Sequence, residues 1–154
     1  MSVKKLFATG VHEPVANILP GKFFYCSMSF SYAALREYPK LTEQLTRMSD
    51  GLQQPKVSFW REDLEPGGHF GPTRMHVDGK GDISEIHRLF IVGGLPTEAH
   101  DGSLLQTGAV WEYSGDFVHR GLPVTQPCQR LMLRVSQTTM HTRETFCLRT
   151  KHKK

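Results

Sequence analysis

The chain lacks a long hydrophobic run, has few cysteines and contains no repeated, linker-like or low-complexity segment. No stretch approaches the ~18 consecutive apolar residues of a membrane span, so no membrane partner is expected. Met1 to Gly10 carries Lys4 and Lys5 with no apolar stretch behind them, and does not read as a secretory signal. Cys26, Cys128 and Cys147 form an odd, widely spaced set that reads neither as a disulfide framework nor as a zinc knuckle. A reducing, cytoplasmic setting follows as the expectation. With no internal boundary, the 154 residues read as a single domain, 1–154, long enough for a real core.

What is present is ordinary in bulk: 38% hydrophobic and 22% charged residues match a soluble globular protein. The formal net charge is +4, and part of the excess sits in the tail Arg149-Thr150-Lys151-His152-Lys153-Lys154. Such a tail reads as a solvated end that could touch an anionic partner, and it does not by itself indicate nucleic-acid binding.

Phe23 to Phe30 is aromatic-rich and reads as a strand after the Pro20-Gly21 turn. From Tyr32 to about Leu52 the residues Leu35, Tyr38, Leu41, Leu45, Met48 and Leu52 recur at helical steps, with Ser31 a candidate cap and Asp50-Gly51 a stop. Pro39 inside this stripe predicts a break into two short helices. Beyond Pro55 short strands alternate with glycine turns: Val57–Trp60, Thr73–Asp78, Ile86–Val92, Ala109–Tyr113, Phe117–His119, Arg130–Thr138 and Thr145–Arg149. Ser114-Gly115-Asp116 reads as a hairpin turn. Many short strands at this spacing predict a barrel or jelly roll.

One set of residues carries chemistry: His76-Val77-Asp78, then His119, then Arg130 and Arg134 on a strand-like run. Two histidines and one carboxylate can occupy one face of an octahedral iron(II) and leave the opposite face open. On a regular strand Arg74, His76 and Asp78 point the same way. Taken alone, His-x-Asp also fits a surface strand with two polar residues facing water. Arg130, Met132, Arg134 and Ser136 share one face of their strand, and Leu131, Leu133 and Val135 the other. Arginines on the inner face of a small barrel need an anion, unless that face is solvated. Trp60, Phe70, Trp111 and Tyr113 are candidate pocket walls or core. His69 and His100, in loops, are candidate spare ligands or solvated residues.

His76-x-Asp78, then His119-Arg120-Gly121-Leu122-Pro123-Val124-Thr125, then Arg130, resembles the iron(II)/2-oxoglutarate-dependent dioxygenases, in their prolyl-hydroxylase-like or phytanoyl-CoA-dioxygenase-like branches. The resemblance covers roughly 59–138. It implies a mainly β fold, a double-stranded β-helix (jelly roll, cupin-like) with a core barrel over 57–140 and an N-terminal helix bracing one sheet. It implies iron(II) held by His76, Asp78 and His119, and 2-oxoglutarate held by Arg130, with Arg134 beside Ser136 as the runner-up anchor; Arg74, on the face of His76, is a candidate lining of the co-substrate or substrate pocket. Arg88 resembles a polar position on the strand after the metal motif. The reaction implied is hydroxylation of a C–H bond in a small-molecule or peptidyl substrate. The chain departs from the pattern in lacking a glycine-rich strand motif around Glu98-Ala99-His100-Asp101-Gly102, and in placing Arg-x-Ser at Arg134-Val135-Ser136. Arg130 and Arg134 stand about 13 Å apart along a strand, so one carboxylate cannot be gripped by both. Spacing from His119 favours Arg130.

Two other readings use the same residues. A zinc- or cupin-type hydrolase would use the three ligands to activate water. A non-enzymatic jelly-roll binding module would keep the site for an anion alone. A nucleic-acid demethylase fits less well, because the Arg-x-Asn-x-Thr-x-Arg pattern of that branch is missing after Gln129.

Overall fold

Alternation along the strands builds two antiparallel sheets of unequal size. The structure is a computed structural model and describes residues 3–8, 22–138 and 145–148. In chain order the elements are β1 (Val3–Ala8), β2 (Lys22–Ser27), α1 (Met28–Leu35), α2 (Pro39–Ser49), β3 (Lys56–Leu64), β4 (Ile86–Gly93), β5 (Thr97–Ala99), β6 (Leu104–Leu105), β7 (Ala109–Ser114), β8 (His119–Gly121), β9 (Cys128–Gln137) and β10 (Thr145–Leu148). The larger sheet has the order β1-β7-β4-β9-β3-β2-β10, and the smaller β6-β5-β8. An isolated bridge from His76 to His119 adds one more chain segment beside β8. The larger sheet therefore takes in β1, β2 and β10, which lie outside 57–140.

Period two sorts the side chains of the larger sheet. On its outer face Val57, Phe59, Phe90, Val110, Leu131, Leu133 and Val135 pack with Leu35, Leu41, Leu45 and Met48 of the two helices. Burying each such side chain contributes about 1.5–3 kcal/mol, so this layer supplies much of the hydrophobic stabilisation. On the inner face Leu89, Ile91 and Tyr113 meet Ala99 and Leu105 of the smaller sheet and Phe117 from the connecting loop. Arg88 lies on the outer face, where its guanidinium donates to the carbonyls of Met48 (2.9 Å) and Asp50 (2.5 Å) and to Glu112 (2.9 Å). It satisfies the exposed carbonyls at the end of α2 and stands away from the inner face.

Several sequence expectations shift by local chemistry. The helical stripe is broken at Pro39 as expected, with the proline in the first turn of α2, where its missing N–H costs nothing. The first helix starts earlier: Ser27, not Ser31, caps it by accepting from the Phe30 N–H, so the preceding strand ends at Ser27. Ser31 bonds back to the Ser27 carbonyl. Thr73–Asp78 forms no strand beyond the single bridge at His76. Ser114-Gly115-Asp116 does not make a hairpin, because β7 belongs to the larger sheet and β8 to the smaller one. The Pro20-Gly21 turn and the basic tail from Arg149 lie outside the described residues.

Candidate metal centre

His76 and His119 face each other across a reciprocal backbone pair. His76 N–H donates to the His119 carbonyl (2.9 Å), and His119 N–H to that of His76 (3.0 Å). Such a closed pair fixes both Cα atoms and puts the two side chains on the same side. Their rings lie 4.6 Å apart between centroids. Asp78, two residues beyond His76, reaches the same point. Its Oδ2 is 3.2 Å from His119 Nε2, and its Oδ1 is 3.9 Å from His76 Nε2. One ligand atom from each of the three residues lies within 4.8 Å of the others.

The second nitrogen of each ring decides what Nε2 can do. His119 Nδ1 is 3.0 Å from the Phe117 carbonyl, and His76 Nδ1 is 2.9 Å from the Arg74 carbonyl. A carbonyl only accepts, so both Nδ1 atoms carry the proton. In neutral imidazoles both Nε2 atoms then present a bare lone pair to the Asp78 carboxylate. Acceptors facing acceptors call for a cation between them. This second-nitrogen anchoring is the arrangement that orients metal-ligating histidines. Ligands about 2.1 Å from a metal at right angles stand roughly 3.0 Å apart, close to the His119–Asp78 separation. The donor set therefore fits a divalent transition metal that accepts nitrogen and oxygen.

Asp78 is held from the larger sheet. Tyr113 on β7 donates its hydroxyl to Oδ2 at 2.5 Å. Arg134 on β9 places Nη1 3.1 Å from Oδ1 and gives Nη2 to Ser58 Oγ at 3.2 Å. Burial alone would raise the Asp78 pKa. The charge of Arg134 first, and the Tyr113 hydroxyl with it, outweigh burial and hold the carboxyl well below its usual range. Tyr113 is pushed well above the usual phenol range, first by burial and then by the Asp78 charge, so it stays a neutral donor.

Arg130 occupies a different position on the same inner face. It is 3% exposed. Its Nε donates to the Leu95 carbonyl (2.8 Å), one Nη donates to Thr97 Oγ1 (2.9 Å), and its guanidinium lies 4.4 Å from the Phe70 ring centre. Glu62 stands opposite it on β3. Even so, no acidic side chain among the described residues comes within ion-pair distance of Arg130. Burial lowers its pKa to about 10. A buried cation with neutral partners only is costly until an anion joins it.

The other expected residues fall in different places. Ser136 is buried on the inner face but bonds His87 Nδ1 (2.7 Å). Arg74 is exposed, and its part in the site is the backbone carbonyl that holds His76. His69 is exposed and bonded to the Gly71 carbonyl, His100 is exposed as well, and neither joins the cluster. Trp60 and Phe70 lie against each other at 5.2 Å beside Arg130, while Trp111 packs with the inner apolar cluster. His87 and Glu85 escaped the sequence reading. His87 is buried between Tyr113 and Ser136, and its period-two phase with Leu89 and Ile91 was the available signal. Glu85, also buried, accepts from the Lys80 and Asp82 N–H groups and from the Thr138 hydroxyl, closing the loop that follows Asp78. Gly79 in that loop has φ +62°, and a side chain there would meet the Glu85 carboxylate.

No protein-family model matches the chain, and no curated protein matches it in sequence. Among solved structures it is similar to a prolyl-4-hydroxylase from Pseudomonas putida, at 16% identity and a TM-score of 0.41, over 86% of this chain and 77% of that one. Likeness at that level decides no chemistry. No helix among the described residues is long and apolar enough to cross a membrane.

Proposed function

We propose that the protein is an oxygenase that uses iron(II), O2 and 2-oxoglutarate to hydroxylate a C–H bond of a small-molecule or peptidyl substrate. The observation that carries this reading is the pair of Nδ1-anchored histidines whose Nε2 atoms converge on the Asp78 carboxylate. The strand order supports a double-stranded β-helix as the scaffold. In it β7-β4-β9-β3 form one wall, and β6-β5-β8 with the His76 segment form the other, while α1 and α2 brace the outside of the first.

Iron held by His76, Asp78 and His119 would supply the activation of O2 that couples decarboxylation of the 2-oxo acid to oxidation of the substrate. The remaining roles belong to the chain. Arg130, with no acidic partner among the described residues, takes the far carboxylate of 2-oxoglutarate, with the Thr97 hydroxyl beside it. Phe70, Trp60 and Met132 line that end with apolar surface and keep water from competing. The carbonyls of Arg74 and Phe117 keep the protons on Nδ1. Arg134 is spoken for by Asp78, which leaves Arg130 as the anchor.

Anaerobic titration with iron(II) and then 2-oxoglutarate tests the reading. A weak metal-to-ligand charge-transfer band in the green is expected, saturating at one equivalent of each. Iron binding without the band would leave a metal site with no 2-oxo acid chelate and remove the oxygenase.

A further inference from the structure

We infer that Tyr113 and Arg134 are positioning residues that hold Asp78 to ligation through one oxygen, and so set how many metal positions stay open. The inference rests on the metal reading above and concerns a property that reading leaves free. A carboxylate can bind a metal through one oxygen or both. Two histidines and a one-oxygen carboxylate leave three of six positions, enough for a two-point 2-oxo acid and O2. A carboxylate bound through both oxygens would leave two.

Nothing in its own segment settles this for Asp78. It lies in a bend, beyond the single bridging residue His76, and is followed by Gly79 and Gly81, both at positive φ. Control comes from the opposite wall. Tyr113 reaches Oδ2 and Arg134 reaches Oδ1, from strands on either side of β4. Neither donor is easily displaced. Tyr113 is 2% exposed, with its ring among His87 (5.4 Å), Phe117 (5.0 Å) and His119 (5.4 Å). Arg134 is tied at its other Nη to Ser58.

With a donor on each oxygen, two bonds hold the carboxylate from the opposite wall. Turning it until both oxygens face one metal equally breaks or bends one of them. Both donors also draw charge from the carboxylate and weaken it as a chelate.

Manganese(II) alone serves as the probe, because water proton relaxation of the loaded protein counts its exchangeable bound waters without any turnover. About three are expected in the unaltered protein. About two are expected in Tyr113→Phe and in Arg134→Met, together with manganese binding at least as tight, because the released carboxylate closes onto the metal. Three waters in Tyr113→Phe overturn the inference while leaving the metal site intact. Loss of manganese binding in that variant overturns it as well, since the hydroxyl would then support affinity rather than geometry. Should Arg134→Met fail to fold, Tyr113→Phe removes one oxygen atom and decides alone. No manganese binding in the unaltered protein brings down the metal reading and this inference with it.

Discussion

The two faces of β9 are buried to similar depth and are chemically opposite. Outward, Leu131, Leu133 and Val135 are fully covered and pack in an apolar cluster with the helices and adjacent strands. Inward, Arg130 and Ser136 are nearly as covered, and Arg134 is mostly so. The outer face is complete as it stands: its stabilisation comes from area removed from water. The inner face is incomplete, with a guanidinium that has no acidic partner among the described residues and two histidines converging on a carboxylate. A protein tolerates such costs where a ligand offsets them. One strand thus divides a stability layer from the layer proposed to bind, and substitutions should respond accordingly.

The sharpest separation should come at the metal ligands. His76→Ala or Asp78→Ala is expected to weaken iron(II) binding by more than about 100-fold, because losing even an outer-shell partner costs roughly 10–100-fold. Thermal stability of the metal-free protein should change little. Anaerobic equilibrium dialysis beside a melting curve measures both, and undiminished affinity in both variants would erase the binding character of the inner face. Next in size, Arg130→Ala should cut 2-oxoglutarate affinity by roughly 30-fold or more, about 2 kcal/mol, as truncating one partner of a buried charge pair does. Arg134→Ala should change that affinity less. The opposite order, read from titrations of the charge-transfer band, would move the anchor to Arg134.

The outer face gives the converse. Leu133→Ala should destabilise by about 2–5 kcal/mol through lost burial and the cavity left behind. Iron affinity of the folded fraction should stay within a few-fold. A matching fall in metal affinity would mean that the two layers are coupled through the strand and that the contrast is overstated.

The outer layer was legible in the sequence because it rests on local periodicity. Leu131, Leu133 and Val135 alternate, Leu41, Leu45 and Met48 recur at helical steps, and Pro39 can break a helix only where it lies. His76, Asp78 and His119 were legible as a candidate donor set only in combination, because His-x-Asp alone also fits a solvated strand. What stayed hidden depends on which segments meet. Ser114-Gly115-Asp116 has hairpin chemistry, yet the chain there passes from one sheet to the other, which no local signal reports. The short β5 and β6 were missed because a few residues carry no readable period, and β1 because its alternation breaks at a register shift between Lys5 and Phe7. Tyr113 read as a pocket wall. Its bond to Asp78 joins residues 35 apart and follows only from β7 standing opposite the Asp78 loop.

The smallest expected effect probes whether the inner face is costly away from the ligands too. His87 is 1% exposed, its Nδ1 meets the Ser136 hydroxyl, and its Nε2 is buried with no hydrogen-bond partner among the described residues. Burial first, and then the charge of Arg134, lower its pKa from 6.5 to about 4. Between those values the unfolded chain binds a proton that the folded chain refuses. Stability is therefore intact above the unfolded value, falls as pH drops through the window, and levels off below about pH 4, where both states are protonated. The loss between about pH 7 and about pH 5 comes to roughly 2 kcal/mol. His87→Gln keeps a donor for Ser136 and removes the titration, so urea unfolding of that variant should lose about 2 kcal/mol less over the same interval. Equal losses in the two proteins would mean that His87 is not held neutral. The inner face would then carry its cost at the metal ligands and Arg130 alone, and the contrast between the faces would narrow to the site itself.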